Sequence, residues 1–182
     1  MAGMTTKRHD DKTVWDRSAF QREFGPHHAV ALAFATRLMG NREDAEDVVQ
    51  DALMKIWKTR DGLEQVADLR AWFLRVVFNR CMDSRRQQAT RRGHEGRMTP
   101  PRTASEDGDQ RSVGRDLLRK VREVMTELPP KQQGVLHLRV FEEMSYEDIG
   151  AALDLTPRSA RVYLVKARAY LRSRLGTEMQ DG

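Results

Sequence analysis

Residues 144–175 read MSYEDIGAALDLTPRSARVYLVKARAYLRSRL, and their spacing lays out a short helix, a tight break and a longer helix. Ser145 is placed to cap a short first helix, with Asp148 three residues on where a capping box has Glu or Gln. Ile149, Ala152 and Leu153 line one face of that helix. The break falls at Asp154-Leu155, and Thr156-Pro157 restarts the chain as an N-cap followed by proline at the first helical position. In the second helix Ala160, Leu164, Ala167, Leu171 and Leu175 recur at three- and four-residue steps and are expected to face inward. Arg158, Ser159, Arg161, Val162, Val165, Lys166 and Arg172 are left on the rest of its surface. Between Thr156 and Leu175 there are six Arg or Lys and no acid. A helix that reads the major groove needs that combination: positive charge for phosphates and side chains that reach base edges. The plainer reading is a surface hairpin with a solvated basic face, so the rest of the chain has to decide.

Upstream, helical spacing runs from Phe20 to Met39, interrupted at Gly25-Pro26 and ended by Gly40 at the position glycine favours after a helix. The next helix, Arg42 to Thr59, is the most regular. Ala45, Val48, Val49, Ala52, Leu53, Ile56 and Trp57 repeat without a miss, Asn41 is the cap, and Glu43 and Asp44 suit the positive end of the dipole. The polar stretch from Gly62 to Asp68 is predicted to be a loop. A third helix, Leu69 to about Arg86, carries Leu69, Trp72, Phe73, Val76, Val77 and Cys81 on one face. From Gln87 to about Val113 periodicity stops in a segment rich in Gly, Pro, Ser, Thr and charge, the natural domain boundary. It resumes through Leu117, Leu118, Val121, Val124, Met125 and Leu128, breaks at Pro129-Pro130, and continues to about Phe141 before the hairpin. With no strand pattern and no repeat, the expected fold is all-α: two small helical domains joined by a flexible linker, the C-terminal one holding a helix-turn-helix. The predicted boundaries are a tail over 1–18, an N-terminal domain over 19–87, a linker over 88–112, a C-terminal domain over 113–176 and a tail over 177–182.

Composition narrows the function. In 182 residues, 32% are charged and 7% aromatic, which suits small helical units better than one large core. The net charge is +5, so an anionic partner is plausible. One cysteine, Cys81, rules out an intramolecular disulfide and fits a reducing compartment. No apolar run approaches the roughly 20 residues that cross a bilayer, and the N-terminus lacks the apolar core of a secretory signal. A cytoplasmic protein without membrane insertion is expected. His27-His28 has no Cys or acid at ligand spacing, and no phosphate-cradling glycine loop, Ser/His/Asp arrangement or Cys-x-x-Cys pair occurs. Nothing argues for an enzyme, a cofactor or a metal.

Two further surfaces carry charge. Glu43, Asp44, Glu46, Asp47 and Asp51 cluster on the Arg42 helix, either as a solvated, dipole-stabilising face or as a docking face for a basic protein. On the third helix Arg70, Arg75, Asn79, Arg80, Arg85 and Arg86 avoid the main apolar stripe, and Arg91, Arg92 and Arg97 follow. That segment is as compatible with solvation as with nucleic acid.

Placed in order, these segments resemble the ECF (extracytoplasmic function) sigma factors of bacteria, from about Phe20 to Arg86 and from about Leu117 to Leu175. GNREDAEDVVQDALMKIW looks like the family's second conserved region, LRAWFLRVVFNRCMDSRR is similar to its promoter-melting helix, and LPPKQQGVLHLRVFEEMSYEDIGAALDLTPRSARVYLVKAR resembles its C-terminal region. The resemblance implies a promoter-specificity subunit without catalysis of its own. Its partners would be the β′ and β subunits of core RNA polymerase, promoter DNA and, as a further candidate, an anti-sigma factor. Glu43, Asp44, Glu46, Asp47 and Asp51 would then dock on the β′ coiled coil. The loop Leu63 to Asp68 and the helix after it would recognise and open the −10 element, with Arg70, Arg75, Asn79, Arg85 and Arg86 as contacts. Arg158, Ser159, Arg161, Val162, Val165 and Lys166 would read the −35 element, while the linker threads toward the polymerase active-site channel and RNA exit path. Asp154 departs from the family pattern, standing where glycine is common in the turn, and Tyr163 and Val162 stand where arginine and a small polar residue are frequent. The rival reading is a repressor or response-regulator output protein that binds operators as a dimer through the same hairpin. It leaves the acidic helix and the basic third helix without a role.

Overall fold

The computed structural model describes residues 15–95 and 113–178. The outer parts of both expected tails, residues 96–112 of the expected linker and the Arg97 side chain lie outside the described residues. Eight α-helices are described and no strand occurs among these residues: α1 Arg17–Phe24, α2 His28–Met39, α3 Arg42–Lys58, α4 Leu69–Glu95, α5 Val113–Thr126, α6 Pro130–Val140, α7 Tyr146–Leu153 and α8 Pro157–Glu178.

The ends of these helices follow local chemistry. The Asp16 carboxylate accepts from the Ala19 N–H at 2.7 Å and starts α1. A 3₁₀ turn at Gly25–His27, with proline at its start, joins α1 to α2. Gly40 ends α2 at φ 82°, a left-handed conformation that costs a residue without Cβ little. Asn41 then caps α3 by accepting from the Asp44 N–H at 2.8 Å. Ser145 accepts from the Asp148 N–H at 3.0 Å, but its hydroxyl also donates to the Asp148 carboxylate at 2.7 Å. The capping-box partner therefore holds the cap side chain rather than the cap backbone.

Four helices form the N-terminal unit. Phe24, Phe34, Leu38, Val49, Ala52, Ile56, Phe73, Leu74 and Val77 are buried at its centre. Phe20 packs on Phe24 and edge-on against Trp57, and Phe24 meets Phe73 edge-on, so α1 is pinned by aromatic contacts to α3 and α4. Arg60 stacks over Trp57 and donates to the Trp57 and Trp15 carbonyls, closing the end of α3. A 3₁₀ turn, Arg60–Gln65, runs into the segment expected as a loop and buries Leu63. On α4 the buried stripe is Ala71, Phe73, Leu74, Val77, Phe78 and Cys81, whereas Leu69, Trp72 and Val76 are only half-buried. The core thus sits slightly around the helix from the predicted stripe and takes in Leu74 and Phe78.

A correction falls at the end of α4, which runs to Glu95 and so passes both the expected helix end near Arg86 and the expected linker start at 88. Gln87, Gln88, Ala89 and the arginines that follow are good helix formers, and extending an existing helix needs no new nucleus. They lack an apolar face, so periodicity is blind to them.

In the C-terminal unit Val124, Met125, Leu128, Val135, Leu138, Ile149, Ala152, Leu153, Ala160, Leu164 and Ala167 are buried. Gln133, 1% exposed, donates to the Met125 carbonyl at 2.7 Å and ties α6 to the end of α5. Tyr170 and Arg174 both bond Glu127, clipping the far end of α8 to the segment after α5. These bonds draw the Glu127 carboxyl below its ordinary range. The two units are not held apart. Helix α2 packs against α6 and α4 against α7, and one buried core runs through both.

Candidate nucleic-acid interface

The hairpin turns where Leu155 donates its N–H to the Gly150 carbonyl at 3.0 Å and Asp154 takes a left-handed backbone at φ 55°. Asp tolerates this region better than most residues because its short side chain finds local partners. Thr156 then accepts from the Ser159 N–H at 3.1 Å, and α8 begins at Pro157. With Ala160, Leu164 and Ala167 buried against α6 and α7, the opposite face of α8 has nowhere to go but solvent.

Arg158, Arg161, Val162, Val165 and Lys166 are all exposed on that face, and Ser159 is half-buried beside the cap. Val165, at 63% exposed, and Val162, at 44%, are large apolar groups standing among cations. Water is a poor environment for them, whereas the 5-methyl group of thymine in a major groove is a good one. Arg161 is also held: its guanidinium lies 5.0 Å from the Tyr146 ring, with Arg139 at 5.0 Å from the same ring and bonded to the Met144 carbonyl. The cation–π contact restricts the long side chain.

On α3, Glu43, Glu46, Asp47 and Asp51 are exposed, so four of the five predicted acids form one outward face. Glu46 is paired with Arg42 at 2.7 Å. Asp44 is turned inward to the cap, accepting from Asn41 at 2.7 Å and from Gln88 of α4 at 3.0 Å.

The basic residues of α4 divide. Asn79 and Arg86 are exposed, and Arg86 meets Asp83 at 3.1 Å. Arg85 donates to the Leu38 carbonyl at 3.0 Å and satisfies the end of α2. Arg75 and Arg70 reach across to the C-terminal unit, Arg75 to Asp154 at 3.2 Å and Arg70 to Glu142 at 3.5 Å. Cys81 is fully buried and its thiol is pushed up to about 12 by burial, so it is an inert core residue.

Sequence reasoning missed His137. It is 3% exposed, its ring lies 5.6 Å from Phe34 of α2 and 5.3 Å from Phe141, and neither ring nitrogen has a hydrogen-bond partner among the described residues. Burial, with Arg37 nearby, pushes its pKa down to about 4. Val135, Leu136 and Leu138 around it are buried too, and nothing local in the sequence marks the histidine as part of that core.

Comparison with known proteins assigns both halves. The model for sigma-70 region 2 matches residues 24–91 and that for sigma-70 region 4 matches residues 118–171. The chain is 30% identical over 150 residues to the RNA polymerase sigma-E factor of Streptomyces avermitilis, covering 82% of this chain and 81% of that one. It is 27% identical over 163 residues to the sigma factor CarQ of Myxococcus xanthus, covering 88% and 91%. Among solved structures it resembles the sigma factor RpoE of Bartonella quintana in complex with the anti-sigma factor NepR, with a TM-score of 0.73, 24% identity and coverage of 86% and 96%. It also resembles CnrH in complex with the cytosolic domain of CnrY, with a TM-score of 0.64, 26% identity and coverage of 90% and 91%. The region 2 match accounts for the N-terminal half, which the dimeric-repressor reading left without a role. No helix among the described residues is long and apolar enough to cross a membrane. The chain belongs to the ECF sigma factors, a family of generally non-enzymatic initiation factors, and is an alternative sigma factor that binds RNA polymerase and directs promoter-specific transcription initiation.

Proposed function

We propose that the three charged surfaces divide this work among them, in the cytoplasm and with no catalysis by the chain itself. Glu43, Glu46, Asp47 and Asp51 of α3 dock on the β′ coiled coil, with Asp44 holding the start of that helix in place. Arg70, Arg75, Asn79 and Arg86 of α4 hold the −10 element, and Arg85 braces the helix. Arg158, Arg161, Val162, Val165 and Lys166 of α8 read the −35 element, and Ser159 shapes the start of that helix. The observation that carries the reading is the outward face of α8, where cations and exposed valines stand together over a buried opposite face. That the similar Bartonella quintana sigma factor is bound by the anti-sigma factor NepR supports an anti-sigma factor as a partner here too.

The docking surface is tested by Asp47→Lys with Asp51→Lys. Affinity for core polymerase should fall while duplex −35 binding through α8 stays as in the parent. Core binding at parental strength would remove α3 from the interface.

A further inference from the structure

A cavity of about 220 Å³ lies where the end of α2 meets α4, α5 and α6, and cations outnumber acids around it. Arg37 and Arg85 line it from α2 and α4, together with Gln88 of α4, Thr126 of α5 and Gln133 of α6. Arg37 is half-buried, with its guanidinium 5.2 Å from the centre of the Phe141 ring. Burial, and after it the charge of Arg122, hold Arg37 below the ordinary arginine range, and no carboxylate among the described residues pairs with it. Like charges gathered in a half-buried place cost stability until a counter-charge arrives. Arg85 spends one N–H on the Leu38 carbonyl and keeps the other donors of its fork. Among the described residues the one acid bonded to a lining side chain is Asp44, which accepts from both Gln88 and Asn41. Carbonyls at the end of α2 would repel an anion, but Gly40 donates to that of Thr36 and Arg85 to that of Leu38. From the C-terminal unit, Gln133 is 1% exposed and leaves its Oε1 without a donor among the described residues.

We propose that this cavity binds a small phosphate-class anion, either inorganic phosphate or a small phosphomonoester, held by the guanidiniums of Arg37 and Arg85. A guanidinium offers paired N–H donors and a positive charge at once, and a phosphate uses both. Size sets the upper limit. The volume is that of about seven waters at ~30 Å³ each, below the ~300–1,000 Å³ of sites that enclose drug-sized molecules. A protonated phosphate oxygen, or the hydroxyl of an ester, supplies the donor that Gln133 lacks, whereas sulfate at neutral pH has none to give. The lining comes from both units, so the bound anion stabilises the whole chain rather than one half. The proposal stands apart from the DNA contacts, in which Arg37 has no part.

The test titrates inorganic phosphate up to about 10 mM into the full chain by calorimetry, at constant ionic strength so that screening does not change. One site per chain is expected. In urea melts, phosphate at about ten times its dissociation constant should lower the unfolding constant about elevenfold. Arg37→Gln removes the charge and should lose both the binding heat and the phosphate effect, while melting no earlier than the parent when phosphate is absent. Arg37→Lys keeps the charge without the fork, so its affinity should fall between those of the parent and the glutamine variant. Sulfate should bind more weakly than phosphate. Glycerol 3-phosphate separates the two sources: tighter binding than phosphate assigns the site to an ester, and weaker binding assigns it to the free ion. No heat and no stabilisation with either phosphate compound overturns the proposal. An equal phosphate effect in the parent and in both Arg37 variants also overturns it, because that marks a general salt effect. Sulfate binding as tightly as phosphate overturns the phosphate class.

Discussion

Lowering the pH should loosen this molecule through His137. The side chain is packed between Phe34 and Phe141 at the seam between the units. The groups that face it are Arg37 of α2, which disfavours its proton, and Glu142, whose Oε1 lies 3.7 Å from Nε2 and favours it. That distance is too long for a hydrogen bond, and the other oxygen of Glu142 is held by Arg70 of α4 at 3.5 Å. Burial and Arg37 therefore prevail and bring the folded pKa from 6.5 to about 4. Above pH 6.5 both folded and unfolded chains carry a neutral imidazole, and this group adds no pH dependence. Below it the unfolded chain takes a proton that the folded one refuses, so stability falls with pH by about 1.4 kcal/mol per unit. The loss reaches about 3 kcal/mol near pH 4, of which about 2.5 kcal/mol falls above pH 4.5, while most carboxylates are still ionised. Urea melts of the wild type and of His137→Phe at several pH values between about 4.5 and 7.5 isolate the effect. Phenylalanine keeps the ring between its aromatic neighbours and removes the titration. The variant should lose less stability than the wild type on going from pH 6.5 to 4.5, and parallel curves would refute the reasoning. If the seam opens before the units unfold, the same proton favours the open form, and inter-unit energy transfer should fall over the same window.

Arg161→Ala and Lys166→Ala should each weaken −35-dependent transcription, a base contact being worth about 1–3 kcal/mol, with equal loss on promoters lacking that element counting against the assignment to α8. Tyr146→Leu should lower −35 affinity by loosening Arg161 while Tyr146→Phe keeps it, because the ring face and not the hydroxyl holds the guanidinium; equal affinity in all three chains would show that the contact is idle. Asn41→Ala removes the cap acceptor of α3 and should cost about 1 kcal/mol in denaturant melts, along with the Asn41 bond to the Asp44 carboxylate. Ile149→Ala, at a fully buried position of the hairpin, should cost about 2–5 kcal/mol, and a smaller loss would mean that α7 is loosely packed.

Particular residues show where reading from sequence works. Asn41, Ser145 and Thr156 act within three residues of themselves, and each makes the cap bond its position implies. On α8 the exposed cations and the buried Ala160, Leu164 and Ala167 fall where the three- and four-residue spacing puts them, because that spacing is a property of one helix. Family motifs added the order of the two regions. Reading fails where a residue's partner is distant in the chain. Nothing near Arg85 indicates that it will meet the Leu38 carbonyl, and nothing near Gln133 marks it for a buried bond to Met125. The helical stretch from Gln87 to Glu95 escapes for a different reason: its sequence carries no apolar stripe, and an apolar stripe is the only signal periodicity carries.

The helical class, most helix boundaries, the exposed basic face of α8 and the acidic face of α3 are thus legible before the chain is folded. Each follows from caps and apolar spacing that act over a few residues. Packing of the whole chain was needed to reveal that α4 meets α7 and α2 meets α6, that His137 is buried on Phe34, and that Arg70 and Arg75 close on Glu142 and Asp154. An amphipathic helix specifies which of its faces leaves water, but what covers that face depends on shape and charge brought together from residues as far apart as Arg75 and Asp154.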